Sequence, residues 1–399
     1  MLQQDGRQFS SKGKPIVLVC TLLLVCFSTS SATPGFKDYD EHDHCSSVEQ
    51  LLFNGTKANE SVRWQVDLGP RLPGSNASAN LRENITQTLE TAGYEVYERT
   101  HQRYDMELTN LFARWTPEQR LVEGRLVLSA HYDSRDVADQ DTNETNRSLP
   151  VPGANDAASG VAVLLELARH IPSMNLGHEV VLFFNDAEDQ QPAYTLGAEA
   201  WAENLTEEDI EAIHAFVLLD MIGDADLQLH NVEPGNARLK TRIVELGTSL
   251  GLVNGSTDCS GNPGKNIVQY DTVVGVLDDH VHAHELGIPA IDIMDTSYGE
   301  PKPYTFGSYW HTMEDTPDKV SEESLAHVGR LVELGLRTNA FLDMPDEVNN
   351  TMDTTNNITS TPPATADTTE ASTNYPLLVV LGLLSLAITT GVVSARKRS

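Results

Sequence analysis

The sequence predicts an α/β protein: a three-layer α/β/α sandwich with a mixed, largely parallel central sheet. Three observations lead there. Apolar runs rich in Val, Leu and Phe recur at 126–130, 180–184 and 215–219. Runs this short and this uniformly apolar read as strands buried on both faces. Segments with helical amphipathic spacing alternate with them, the order expected of a layered α/β fold. Polar residues of metal-binding type stand at or just past the ends of the runs, and open α/β sheets bind ligands outside the carboxyl ends of their strands.

Taken along the chain, residues 79–92 read as the first amphipathic helix. The strand 126–130 follows and ends at His131. Residues 156–171 read as a helix, whose Gly160 lets it pack close to the sheet because it has no side chain. The strand 180–184 leads into Asn185-Asp186-Ala187-Glu188-Asp189, and 196–204 is a short helix. The strand 215–219 ends at Asp220. A helix at 237–252, a further central strand at 288–294 and a helix at 321–341 complete the order. There is no internal repeat and no Gly-rich loop of the phosphate-cradling kind.

Five side chains stand out in this frame: His131, Asp156, Asp189, Asp220 and His311. Each alone has an ordinary explanation; Asp156, for instance, could cap the helix that begins at Ala157. Together they make a zinc-type donor set, since zinc takes imidazole nitrogen and carboxylate oxygen and leaves a position open when catalytic. Two His and three Asp fill one zinc site with a carboxylate to spare, or two sites sharing Asp156. Glu188 adjoins Asp189, so one turn can send one side chain to a metal and the other toward substrate, as a general base requires.

At these residues the chain resembles the zinc-dependent exopeptidase superfamily of aminopeptidases and glutaminyl cyclases, over roughly 46–344. The resemblance includes an upstream motif, Leu68-Gly69-Pro70-Arg71-Leu72-Pro73-Gly74-Ser75. It implies that His131, Asp156, Asp189, Asp220 and His311 match the metal positions of two-zinc aminopeptidases and that Glu188 matches the general base. The chain is more similar to bacterial-type glutaminyl cyclases. Leu277-Asp278-Asp279-His280 resembles the motif that carries a catalytic Asp, here Asp278. Phe216-Val217-Leu218-Leu219-Asp220 resembles the strand whose Asp is hydrogen-bonded to it, and Trp310 before His311 resembles the aromatic pocket wall.

The cyclase likeness implies one zinc on Asp156, Asp189 and His311, with Glu188, Asp220 and Asp278 catalytic and Trp310 substrate-binding. It implies conversion of amino-terminal Gln to pyroglutamate, with peptide or protein amino termini as substrate. The alternative is a two-zinc aminopeptidase that adds His131 and Asp220 as ligands. The ligand after the general base is usually Glu; here it is Asp189, one methylene shorter, as in bacterial cyclase-like members.

The ends of the 399-residue chain read differently from its middle. Arg7, Lys12 and Lys14 precede an apolar run and then Ser30-Ser31-Ala32, the pattern of a signal peptide over 1–32. Residues 345–375 are a Thr- and Asn-rich stalk without core-forming residues. An uncharged stretch of 19 residues, 377–395, is followed by Arg396-Lys397-Arg398. That is the expectation for a transmembrane helix over 376–395 with a basic cytoplasmic tail at 396–399 and an extracellular catalytic domain at 46–344. Sequons such as Asn54, Asn143, Asn254 and Asn357 suit an exported glycoprotein. Past the signal only Cys45 and Cys259 remain, as a disulfide or as two buried thiols. A net charge of −31 opposes nucleic-acid binding and favours solubility in salt.

Overall fold

The computed structural model describes residues 44–342. The expectations for 1–32, 345–375, 376–395 and 396–399 lie outside the described residues. Among the described residues no helix is long and apolar enough to cross a membrane.

A six-stranded sheet forms the centre. Its strands are β1 (Glu95–Arg103), β2 (Met106–Trp115), β3 (Arg125–His131), β4 (Glu179–Asn185), β5 (Ile213–Asp220) and β8 (Ala290–Met294). They lie in the order β1-β2-β4-β3-β5-β8. The strands β4, β3, β5 and β8 run parallel, whereas β2 is antiparallel to both of its neighbours. The sheet is therefore mixed and largely parallel, as expected. A two-stranded sheet of β6 (Leu229–Glu233) and β7 (Val268–Gly275) stands beside it.

Strand alternation sorts the side chains onto two cores. Leu126, Leu128, Val180, Leu182, Ala215, Val217, Ile291 and Ile293 face one layer. That layer holds α2 (Gly55–Asp67), α3 (Asn76–Thr91), α4 (Ala158–Ala168), α7 (Ala237–Ser249) and α9 (Glu322–Arg337). Val127, Val181, Phe183, Phe216 and Leu218 face the other layer, where Trp201 packs on them. There lie α5 (Leu196–Ala202), α6 (Glu207–Glu211) and α8 (His280–Glu285). The helix α4 is buried along its whole length, since it is sandwiched between the sheet and α2 and α9.

Local signals set several boundaries. Ser75 caps α3 by accepting from Ser78 N, so this helix starts three residues earlier than its apolar spacing suggests. Ser321 caps α9 in the same way. The short α1 (His44–Val48) is tied by a Cys45–Cys259 disulfide to the loop after α7, which resolves the pair left open by the sequence.

Candidate active site

The parallel strands deliver their last residues to one edge of the sheet. The strand β3 ends at His131 and β5 at Asp220, while β4 ends at Asn185 and turns through Asp186, Ala187, Glu188 and Asp189. Asp156 arrives on the segment before α4. It does not cap that helix, because the N-cap position belongs to Ala157 and carries no side-chain bond. Its backbone is held from outside: Asp315 accepts from Asn155 N at 2.8 Å and from Asp156 N at 3.3 Å, and Tyr298 donates to Asp315 at 2.7 Å. Arg71, fully buried, donates to the carbonyls of Pro152 and Gly153. The upstream motif around Arg71 therefore acts by fixing the loop that carries Asp156.

Three of the turns that aim side chains into the site are strained. Ala187, Met221 and His311 have φ of 59°, 50° and 54°, in the left-handed region. Such a conformation costs a non-glycine residue about 1–2 kcal/mol. Strain of this kind gathers where a side chain must point in one direction.

The five expected ligands form two clusters that share Asp156. His131 Nε2 lies 3.1 Å from Asp156 Oδ1 and 3.2 Å from Asp220 Oδ1. His311 Nε2 lies 3.1 Å from Asp189 Oδ2 and 3.9 Å from Asp156 Oδ2. Each trio brings its donor atoms within 4.8 Å of one another. The other ring nitrogens decide whether a metal fits. His131 Nδ1 faces Asp133 Oδ1 at 3.2 Å, and His311 Nδ1 faces Asp139 Oδ1 at 3.2 Å. An ionised carboxylate only accepts, so both Nδ1 atoms carry the hydrogen and both Nε2 lone pairs turn inward. This is the carboxylate–histidine arrangement that orients zinc ligands. Asp189 Oδ2, buried and turned toward His311 Nε2, completes a set that fits zinc.

Without an ion, these groups share protons. Burial alone would lower the His311 pKa, but Asp189, Asp139 and Asp156 outweigh it and bring it up to about 9. His131 is likewise pushed well above its ordinary value, with Asp133, Asp156 and Asp220 overcoming burial. Asp139 is held at about 2, because His311 and Arg135 outweigh the effect of burial.

The sequence reading gave no role to the residues behind the ligands. Asp133 accepts from Glu188 N and Asp189 N, both at 3.1 Å, and from Gln190 Nε2 at 2.8 Å, as well as holding His131. One buried carboxylate thus ties the end of β3 to the turn after β4. Arg135 Nη1 donates to Asp189 Oδ1 at 3.0 Å and its Nε to Asp139 Oδ1 at 3.3 Å. A hint was present in the sequence, since Asp133 and Arg135 follow His131 by two and four residues.

Seven of the eight singled-out residues line one small pocket: Asp156, Glu188, Asp189, Asp220, Asp278, Trp310 and His311. His131 sits behind it, 1% exposed. Trp310 stacks on the His311 ring at 3.6 Å and meets Phe306 edge-on at 5.1 Å, so the wall beside the ligand is aromatic. Burial pushes the Glu188 carboxyl well above its usual range; His131 opposes this and Asp278 and Asp189 add to it. Burial also raises Asp278, helped by Asp292 and Asp220. The site therefore combines an imidazole–carboxylate cradle with carboxyls whose affinity for a proton is raised by burial and by one another.

The model of the family described as Peptidase family M28 matches residues 110–334. Aminopeptidase YwaD of Bacillus subtilis is 27% identical over 210 residues, which is 52% of this chain and 39% of that protein. This chain thus spans well under half of that relative. A Zn-dependent exopeptidase from Parabacteroides distasonis superposes with a TM-score of 0.63 at 28% identity, over 72% of this chain and 99% of that one. The glutaminyl cyclase of Porphyromonas gingivalis does so with a TM-score of 0.60 at 30% identity, over 71% and 97%.

Proposed function

The chain belongs to peptidase family M28, and on that premise we propose that it is a glutaminyl-peptide cyclotransferase, closing amino-terminal Gln to pyroglutamate with release of ammonia. One observation carries this reading: Asp278 lines the same pocket as Glu188 and Asp220. Hydrolysis needs one base beside the metal. Attack by the substrate's own amine also needs acceptors that hold that amine, and this second pair of buried carboxyls provides them.

Bound zinc would polarise the Gln side-chain carbonyl as a Lewis acid. Asp156, Asp189 and His311 would hold it. Asp220 and Asp278 accept hydrogen bonds from the α-amine and orient its nitrogen toward the side-chain carbon. As the new C–N bond forms, Glu188 takes a proton from that nitrogen. Glu188 then gives the proton to the departing nitrogen, so that ammonia leaves as the old C–N bond breaks. Trp310 supplies a flat apolar wall that excludes water from the closing ring.

A second reading, a two-zinc aminopeptidase, is favoured by a different observation. His131 Nε2 already stands 3.1 Å from the shared Asp156, so the second donor set is preassembled. There Glu188 would activate water for attack on the first peptide bond. The test uses the zinc-loaded full chain with a Gln-initiated peptide and an aminoacyl amide, together with metal content. The cyclase reading expects ammonia and pyroglutamyl product, one zinc per chain, and the same zinc content in His131→Ala. Two zincs in the parent, with His131→Ala losing one ion and aminoacyl hydrolysis together, would establish the aminopeptidase. The apolar stretch 377–395 and its basic tail support a membrane-anchored, exported enzyme, which detergent-dependent extraction from membranes would test.

A further inference from the structure

A third cluster adjoins the pocket and shares Asp278 with it, while its other two members, His280 and Asp292, have no part in either reaction. Asp278, His280 and Asp292 place one donor atom each within 4.8 Å of one another. All three are buried: Asp278 is 3% exposed, Asp292 1% and His280 0%. They come from separate elements, since Asp278 precedes α8, His280 opens it and Asp292 is central in β8. The donor set of two carboxylates and one imidazole is the same as in each of the other two clusters.

The hydrogen bonding leaves acceptors of this cluster facing one another. His280 Nε2 stands 2.9 Å from the Pro234 carbonyl, which can only accept, so Nε2 carries the hydrogen and Nδ1 is a bare lone pair. That lone pair faces Asp292 Oδ2 at 3.9 Å, an acceptor turned toward an acceptor. Neither His280 Nδ1 nor either Asp292 oxygen meets a donor, apart from a proton that the Asp278 and Asp292 carboxyls can share. The group within hydrogen-bond reach of Asp292 is another carboxyl, that of Asp278. Asp278 Oδ1 accepts from Asp279 N at 2.6 Å, which leaves its other oxygen for the cluster. Buried acceptors without donors are costly. A divalent cation would satisfy three at once and cancel two carboxylate charges, and imidazole with carboxylates suits zinc and its neighbours. An entry path exists, because Asp278 also lines the active-site pocket.

We propose that Asp278, His280 and Asp292 form an accessory divalent-cation site, entered through the active-site pocket, whose occupancy withdraws Asp278 from catalysis and inhibits the enzyme. The cation is weakly held, since it must displace whatever proton the paired carboxyls share, and it acts only when free metal exceeds what the primary ligands need. The inhibitory half rests on the catalytic role proposed for Asp278; the binding half does not.

The test is to equilibrate the zinc-loaded full chain over a series of buffered free-zinc concentrations, counting ions and following turnover. His280→Gln and Asp292→Asn are compared with the parent. The parent should take up one extra, weaker ion, and turnover should fall with the same midpoint. Each variant should keep the tightly held zinc, and the midpoint for both events should rise at least about tenfold, the least that loss of even a ligand's supporting partner typically costs a metal site. Equal ion counts in parent and variants at every concentration would overturn the site. Loss of the extra ion with inhibition unchanged would overturn the mechanism while leaving the site. If neither glutamine cyclisation nor hydrolysis is found but the extra ion still depends on His280, only the catalytic reading fails. Should a variant not fold, anomalous scattering from zinc-soaked crystals of the parent decides, by placing or failing to place an ion between His280 Nδ1 and Asp292.

Discussion

At the scale of single residues, the site is governed by which atom carries a proton. In the metal-free chain His311 titrates at about 9, above its ordinary 6.5, because Asp189, Asp139 and Asp156 surround it and outweigh burial. Its contribution to metal-free stability is therefore complete below about 6.5 and is lost as the pH rises through about 9. Zinc needs the same lone pair, so the proton must leave when the ion binds. Zinc affinity should accordingly climb with pH up to about 9, by about tenfold per unit for this one proton. Chelator competition across that range measures it, and a flat profile would mean that His311 is not a ligand. Glu188 poses the complementary case, since burial raises its carboxyl and it lines the pocket beside the ligands. Glu188→Gln should retain full zinc while turnover falls at least about 100-fold, because an amide cannot shuttle a proton. A variant that lost zinc instead would make Glu188 a ligand.

At the scale of elements, one glycine sets how closely three ligand carriers approach. A Cβ on Gly160 would lie 2.3 Å from Leu219 O and 2.9 Å from Ala130 Cβ. Leu219 precedes Asp220, Ala130 precedes His131, and the helix bearing Gly160 follows Asp156. Alanine favours a helix over glycine by about 1 kcal/mol, but overpacking against a strand's backbone costs about 1–3 kcal/mol. Gly160→Ala should therefore lower the urea midpoint and loosen zinc; a net gain in stability would refute the close packing. This contact was legible in the sequence, as were β3, β4, β5 and β8, because strands buried on both faces write themselves as apolar runs; β8, expected to be central, lies at the end of the sheet and is nevertheless buried throughout. The hairpin of β1 and β2 was not. β1 is an edge strand whose Glu-Val-Tyr-Glu-Arg-Thr-His-Gln-Arg is largely exposed, so burial leaves no pattern in it. Its turn uses Tyr104 at φ 51° where glycine or asparagine would have signalled a bend. Asp133 and Asp139 were hidden for another reason: a carboxylate that holds an imidazole looks, in sequence, like any polar loop residue.

At the scale of the whole molecule, the site is assembled from positions between 71 and 315, so it exists only when the complete sheet and its loops are in place. The Cys45–Cys259 disulfide overlaps most of this range, joining residues 214 apart in the chain. It fastens α1 beside α7 and α9, on the helical layer, and no metal-type residue of the site belongs to either partner element. The bridge should thus act on stability and not on chemistry. Closing so long a loop restricts the unfolded chain, and loss of such a bond typically costs about 2–5 kcal/mol. Reduction, or the pair Cys45→Ala with Cys259→Ala, should lower the unfolding free energy by that much, read as a lower urea midpoint. Zinc content and turnover should stay at parental values at temperatures where the chain remains folded. Zinc lost in step with the bridge in a still-folded chain would mean instead that α1 and the loop at 257–265 help hold the ligands. The distinction matters because a bond that protects the fold without touching the catalytic groups can be broken and remade without altering the reaction.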